Sequence, residues 1–109
     1  MYSQVATKLA VVVGTDQFSP AIAMGDNNAV QVDATIFNLG GATDLTIEVQ
    51  GSSDLQNWKQ ITVNSGLLLG FNAPVKSTGI GYAYVRYRYS ATGGAGTVIV
   101  AAGLNTSFQ

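Results

Sequence analysis

The chain is predicted to be all-β, an antiparallel β-sandwich of the jelly-roll or Ig-like kind with about seven or eight short strands. Three observations carry this prediction. Apolar and polar residues alternate along several short segments, turn-forming residues punctuate the chain between them, and no window of helical length holds a sustained 3.6-residue apolar stripe. The 13 glycines among 109 residues weigh further against long helices.

Taken in order, residues 5–13 are apolar and β-prone, and residues 22–24 can add a short strand before the Gly25, Asp26, Asn27 and Asn28 turn. Residues 30–36 alternate fully. Val30, Val32, Ala34 and Ile36 fall on one face, and Gln31, Asp33 and Thr35 on the other. Residues 45–50 repeat the pattern, with Leu45, Ile47 and Val49 inward and Thr46, Glu48 and Gln50 outward. The connection between them contains Gly40 and Gly41, so these two strands are expected to form a hairpin.

Residues 51–57 are turn-rich, because Asp and Asn side chains bond nearby backbone N–H groups. A strand is expected over residues 58–63, then a short apolar run over 66–71, bounded by glycines and closed by Pro74. Residues 82–89 form the next strand. Gly93, Gly94, Ala95 and Gly96 make a turn, read as another hairpin connection, and the β-branched residues 97–100 lead the last strand, to residue 102.

This length fits one domain over residues 1–109, with residues 1–4 and 105–109 as candidate extended arms. Phe108, beside the C-terminus, is expected to tuck back into the fold, with docking on a neighbour as the alternative. Charged residues make up only 10% of the chain and hydrophobic ones 47%. A surface so poor in charge is covered by small polar residues and glycine, or by another protein chain, which points to an oligomer. The net charge of −1 offers no basic field for phosphate backbones, so no nucleic-acid partner is expected. The longest apolar run, residues 9–13, is too short to cross a bilayer, and residues 1–7 lack the charge and apolar run of a secretory leader.

Histidine and cysteine are both absent, which removes Ser-His-Asp triads, cysteine nucleophiles and the usual zinc sites. The carboxylates that remain, Asp16, Asp26, Asp33, Asp44, Glu48 and Asp54, fall mostly in turns, where local hydrogen bonding accounts for them. No enzymatic activity, cofactor or metal is expected. A row on the 82–89 strand is the most informative surface. Alternation puts Tyr82, Tyr84, Arg86 and Arg88 on one face, with Ala83, Val85, Tyr87 and Tyr89 on the other. If the second set is buried, the first is a Tyr and Arg row of the kind interfaces concentrate. The structural alternative is Arg stacked on Tyr and paired with a cross-strand carboxylate such as Glu48. Trp58 is either a stacking platform for a sugar ring or an anchor closing one end of the sandwich.

Residues 48–58, 84–89 and 93–98 together resemble small β-sandwich structural proteins of tailed bacteriophages, including capsid decoration (cement) proteins. The shared elements are a strand ending in a Gly-Ser-Ser-Asp turn, Trp58 shortly after it, a Tyr-Val-Arg strand and a final Gly-Thr-Val strand. Residues 1–40 lie outside the resemblance. It implies a virion structural protein, made in the host cytoplasm, that binds and stabilises adjacent capsid subunits. Its partner would be the major capsid protein or another virion protein, and it would itself be a homo-oligomer. Tyr82, Tyr84, Arg86, Arg88, Trp58 and Phe108 are the expected interface residues. A similar turn and Trp arrangement occurs in carbohydrate-binding sandwiches, so a glycan-binding adhesion module using Trp58, Tyr82 and Tyr84 is the competing expectation; another head or tail component is a third.

Overall fold

Alternation decides which side of each strand is buried, and in the computed structural model, which describes residues 2–108, those buried sides face one another across a sandwich. The strands are β1 (Tyr2–Val12), β2 (Gln17–Phe18), β3 (Ile22–Ala23), β4 (Ala29–Asn38), β5 (Asp44–Ser52), β6 (Lys59–Leu67), β7 (Gly70–Asn72), β8 (Tyr84–Thr92) and β9 (Thr97–Ser107). One sheet has the order β1-β9-β4-β7; the other has β2-β8-β5-β6, with β3 also paired to β8. Every pairing is antiparallel. Nine strands are thus described where seven or eight were expected. The extra count comes from β2, whose two residues carry no periodic signal.

The inward sets fall where alternation puts them. Val30, Val32, Ala34 and Ile36 of β4 meet Leu45, Ile47 and Val49 of β5, Val85, Tyr87 and Tyr89 of β8, and Val98, Val100 and Leu104 of β9 in one core. Tyr87 and Tyr89 are fully buried, their rings edge to face with centroids 6.0 Å apart. The Tyr87 hydroxyl donates to the Gly103 carbonyl of the opposite sheet at 2.7 Å. The Tyr2 side chain lies over Gly103, where a Cβ would stand 2.0 Å from the Tyr2 hydroxyl oxygen and push that ring aside.

The expected hairpin between residues 30–36 and 45–50 does not form. β4 and β5 lie in different sheets, and the 93–96 turn likewise links β8 of one sheet to β9 of the other. Both connections are arches across the end of the sandwich, and their backbones touch. A Cβ at Gly41 would lie 2.0 Å from the Ala95 carbonyl oxygen, and one at Gly96 would lie 2.4 Å from the Gly41 nitrogen. Glycine serves close approach here, which composition cannot tell apart from a tight hairpin. The hairpin that does form joins β5 to β6.

Residues 2–4 and 105–107, expected as arms, are paired strand: Tyr2 opposes Asn105, and Ser107 opposes Ala29. Met1 and Gln109 lie outside the described residues. Phe108 does not tuck into the core and remains 73% exposed. The run at 66–71 is split, with Leu67 buried while Leu68, Leu69 and Phe71 stand exposed. Beyond β7 the chain covers the free edge of β4, where Val30 and Ser77 exchange two backbone hydrogen bonds of 2.9 Å.

The two core tyrosines are expected to behave oppositely on loss of their hydroxyls. Tyr87→Phe breaks the link between sheets and should cost about 1–2 kcal/mol in denaturant unfolding. The buried Tyr89 hydroxyl has no hydrogen-bond partner among the described residues, so Tyr89→Phe should be neutral or stabilising by up to about 1 kcal/mol. Burial raises both phenol pKa values, with the Tyr89 ring adding to the shift at Tyr87. The neutral phenols are therefore the form the fold favours. Their stabilisation is complete below the unfolded value of about 10 and is lost as pH rises past it, so phenolate absorbance from these two rings should appear only together with unfolding.

Candidate functional site

The outer face of β8 runs Tyr84, Arg86, Arg88 and Ser90, opposite Ser52, Gln50, Glu48 and Thr46 of β5. Each pair sits side by side on a pleated surface, so the side chains must satisfy one another or reach solvent. Arg86, Gln50, Glu48, Arg88 and Ser90 join, with Asp16, in a continuous polar chain. Arg86 donates from Nε to Gln50 Oε1 at 2.8 Å, and Gln50 donates from Nε2 to Glu48 Oε2 at 2.6 Å. Glu48 Oε2 lies 3.8 Å from Arg88 Nη1. Arg88 also donates from Nε to Asp16 Oδ2 at 2.8 Å and pairs with the same oxygen through Nη2, while the Ser90 hydroxyl donates to Asp16 Oδ1 at 2.8 Å. Hydrogen bonds from Arg88 and Ser90 hold the Asp16 carboxyl below its ordinary range.

Arg86 is clamped from two sides. Its guanidinium carbon lies 4.4 Å from the centroid of Phe18 and 4.2 Å from that of Trp58. Burial lowers the Arg86 pKa and Glu48 opposes that shift. Phe18 reaches this position because β2 and β3 together form an edge strand broken at Pro20. Ser19 bridges the break, its N–H donating to the Tyr87 carbonyl at 2.9 Å and its Oγ accepting from the Tyr87 N–H at 2.8 Å.

Of the six residues expected at an interface, the structure gathers Arg86, Arg88, Tyr84 and Trp58 on one side of this sheet. Both arginines are engaged by the chain's own groups. Arg88 meets Glu48 as the structural alternative expects, but Arg86 stacks on Phe18 and Trp58 rather than on Tyr. Tyr82 does not join the row. It precedes β8, where alternation has not begun, and packs against the core in the space left by Gly51, whose Cβ would lie 2.4 Å from the Tyr82 ring. Phe108 follows β9 in the other sheet. Asp16, Phe18 and Gln50 were missed. Asp16 is 72 residues from Arg88, and no local pattern links them.

Beside Trp58, the loop after β5 is held by a dense set of hydrogen bonds. Ser52 Oγ accepts from the Leu55 N–H at 2.9 Å and donates to Asp54 Oδ1 at 3.0 Å. Asp54 Oδ1 accepts the N–H groups of Gln56 and Asn57 at 2.9 and 2.8 Å, and Oδ2 accepts from Asn57 Nδ2 at 2.7 Å. Leu55 is held at φ 66°, a left-handed conformation that costs a non-glycine residue about 1–2 kcal/mol. Between this loop and Tyr82 opens a groove of about 400 Å³ lined by Ser53, Asp54, Asn57, Trp58, Lys59 and Tyr82. Among the described residues, no three side chains of metal-ligating type come together.

No family model and no curated protein sequence matches the chain. Solved structures do. The PBSX exported protein XepA aligns over 100% of this chain with a TM-score of 0.71 and 12% identity, and this chain spans 38% of its length. The SPBc2 prophage-derived protein YomS aligns over 98% of the chain and 96% of its own, with a TM-score of 0.53 and 14% identity. A protein of Bacillus endospore appendages, described as disulfide-linked pili, aligns over 100% and 88% with a TM-score of 0.59 and 10% identity. At these identities the likeness is one of fold.

The hydrogen bonds from the backbone and side chain of Asn57, the Gln56 N–H and Ser52 hold Asp54 well below the usual carboxylate range. The order that this carboxylate gives the loop should be fully present above the unfolded value of about 3.9 and be lost only as pH falls through the depressed folded value. A carboxyl NMR titration should find Asp54 among the last to protonate. In Asp54→Ala, amide exchange at Gln56 and Asn57 should speed up by about an order of magnitude.

Proposed function

We propose that the chain is a structural subunit of a phage-related particle, binding and stabilising neighbouring subunits as a capsid decoration protein does the major capsid protein. The observation that carries this reading is an exposed apolar corner. Leu68, Leu69 and Phe71 are 54%, 62% and 69% exposed, in and beside β7 at the edge of its sheet. Phe71 opposes Thr35 on β4, and Phe37, 52% exposed, lies two residues further along that strand. Such a grouping on a chain with 10% charged residues is the surface a partner would cover.

The fold shared with two prophage-derived proteins supports a phage origin, and the shared pilus fold supports assembly. Because Arg86 and Arg88 are engaged internally, the corner replaces the Tyr and Arg row as the proposed contact. The partner is a neighbouring virion subunit, and contact is non-covalent, since the chain has no cysteine.

Purified protein added to particles that lack it should bind saturably and raise their resistance to heat. Leu69→Asp and Phe71→Asp, both at exposed positions, should leave the isolated fold intact and weaken particle binding by at least about tenfold. Absence of saturable binding together with no gain in heat resistance would overturn the role, and undiminished binding by both variants would overturn the corner as the contact.

A further inference from the structure

The groove beside Trp58 has features that the subunit role does not use. At about 400 Å³ it is within the range of small-molecule sites, ~300–1,000 Å³. Two aromatic rings, Trp58 and Tyr82, contribute to its wall, and neither is free to drift. Trp58 stacks on Arg86, and Tyr82 packs against the core over Gly51. The loop beside them is set by Ser52 and Asp54 before any ligand arrives. That arrangement is preorganised, and it sustains the left-handed Leu55 at its tip.

The polar members of the groove supply both kinds of hydrogen-bonding group. An ionised carboxylate has about four acceptor positions. Asp54 Oδ2 receives Asn57 Nδ2 and keeps acceptor capacity at the exposed side of the loop. Lys59 brings three N–H donors and has no ion-pair partner among the described residues. Ser53 and Asn57 add a hydroxyl and an amide. One cation and one anion in the same groove cancel, which disfavours phosphates and strongly charged ligands and suits a neutral molecule bearing many hydroxyls. The aromatic walls ask that this molecule also have an apolar face. A pyranose ring has both, with C–H groups on its faces and hydroxyls around its rim.

We propose that this groove binds a neutral sugar ring of a polysaccharide, against Trp58 and Tyr82, with its hydroxyls bonded by Asp54, Asn57 and Lys59. The site stands apart from the apolar corner. The corner follows the Leu67 end of β6, which opposes Leu45 at the start of β5, whereas the groove lies beyond Ser52 at the other end of that strand. Nine residues of β5 place them roughly 25–30 Å apart. A subunit held by its corner would leave the groove directed elsewhere.

Trp58 is the chain's single tryptophan, so its fluorescence reports on the groove without ambiguity. Titration with the tetramers of N-acetylglucosamine and of glucose should give a saturable emission change for at least one, with a Kd of ~0.1–10 mM. Lys59→Ala should weaken that affinity by at least about fivefold while leaving thermal unfolding and particle binding unchanged. A flat response to both tetramers up to ~20 mM would overturn the proposal. So would equal affinity in Lys59→Ala, which would put the sugar elsewhere. Because particle binding is read separately, failure of the sugar site and failure of the subunit role are distinguishable.

Discussion

The bond from the Tyr87 hydroxyl to the Gly103 carbonyl joins the two sheets at the centre of the molecule, and much else is arranged around it. A chain without cysteine has no disulfide between its layers, so away from the arches the layers are held by apolar burial and by the few polar groups that cross the core. Burying a phenol without a partner is costly; giving it a backbone carbonyl on the far sheet turns that cost into a distance constraint. Gly103 can serve because it lies between β1 and β4, opposite Gln4 and Asp33, with the Tyr2 ring closing over its Cα from outside. The Tyr2 hydroxyl in turn lies 3.3 Å from Asp33 Oδ1, so the covering ring is itself anchored.

Tyr87 also connects the core to the outer surface of its own sheet. Its side chain points inward, while its backbone N–H and carbonyl reach outward along the sheet to Ser19. That pair of bonds keeps β2 and β3 in line across Pro20, and so places Phe18 over Arg86 and brings Asp16 to Arg88. The two arginines are therefore committed by the same strand whose inward residues build the core. An exposed ion pair contributes little by itself, but here the ions share a chain of five side chains from Asp16 to Arg86 and are flanked by two rings. The outcome is a stiff face, suited to holding Trp58 in place.

Much of this was legible in the sequence, and the limits of legibility have physical causes. Period-two alternation named the inward apolar residues of β4 and β5 and separated the two faces of β8, because successive side chains of a half-buried strand point to opposite sides. It could not say which sheet each strand joins, since burial against the facing sheet looks the same from either side. Hence the expected hairpin between β4 and β5 proved to be an arch. In the sequence Gly40 and Gly41 look like hairpin residues, whereas Gly41 is needed for contact with the second arch. Tyr82 falls outside the row because β8, and with it the alternation, begins two residues later. At the site, Ser52, Asp54, Asn57 and Trp58 are close in sequence, and the turn was visible. Asp16 and Phe18 lie some seventy residues from the arginines they meet, and only the folded chain brings them there.

Without cysteine, the association proposed above has no disulfide to hold it. A disulfide between subunits tolerates a weak surrounding interface, because the covalent link persists in an oxidising environment. A chain with no cysteine cannot use that mode, so any stable assembly must draw on surface area. Apolar side chains are then wanted outside the core, even though each one raises the risk of unspecific association. Leu68, Leu69 and Phe71 fit that need: they sit at one corner, in and beside a three-residue edge strand too short to template further pairing, while the opposite edge of that sheet, β1, is interrupted by two register shifts. An open sheet edge invites unlimited growth, whereas a localised apolar corner favours a limited set of neighbours. In the sheet that carries β7, the chain has blunted the first and kept the second.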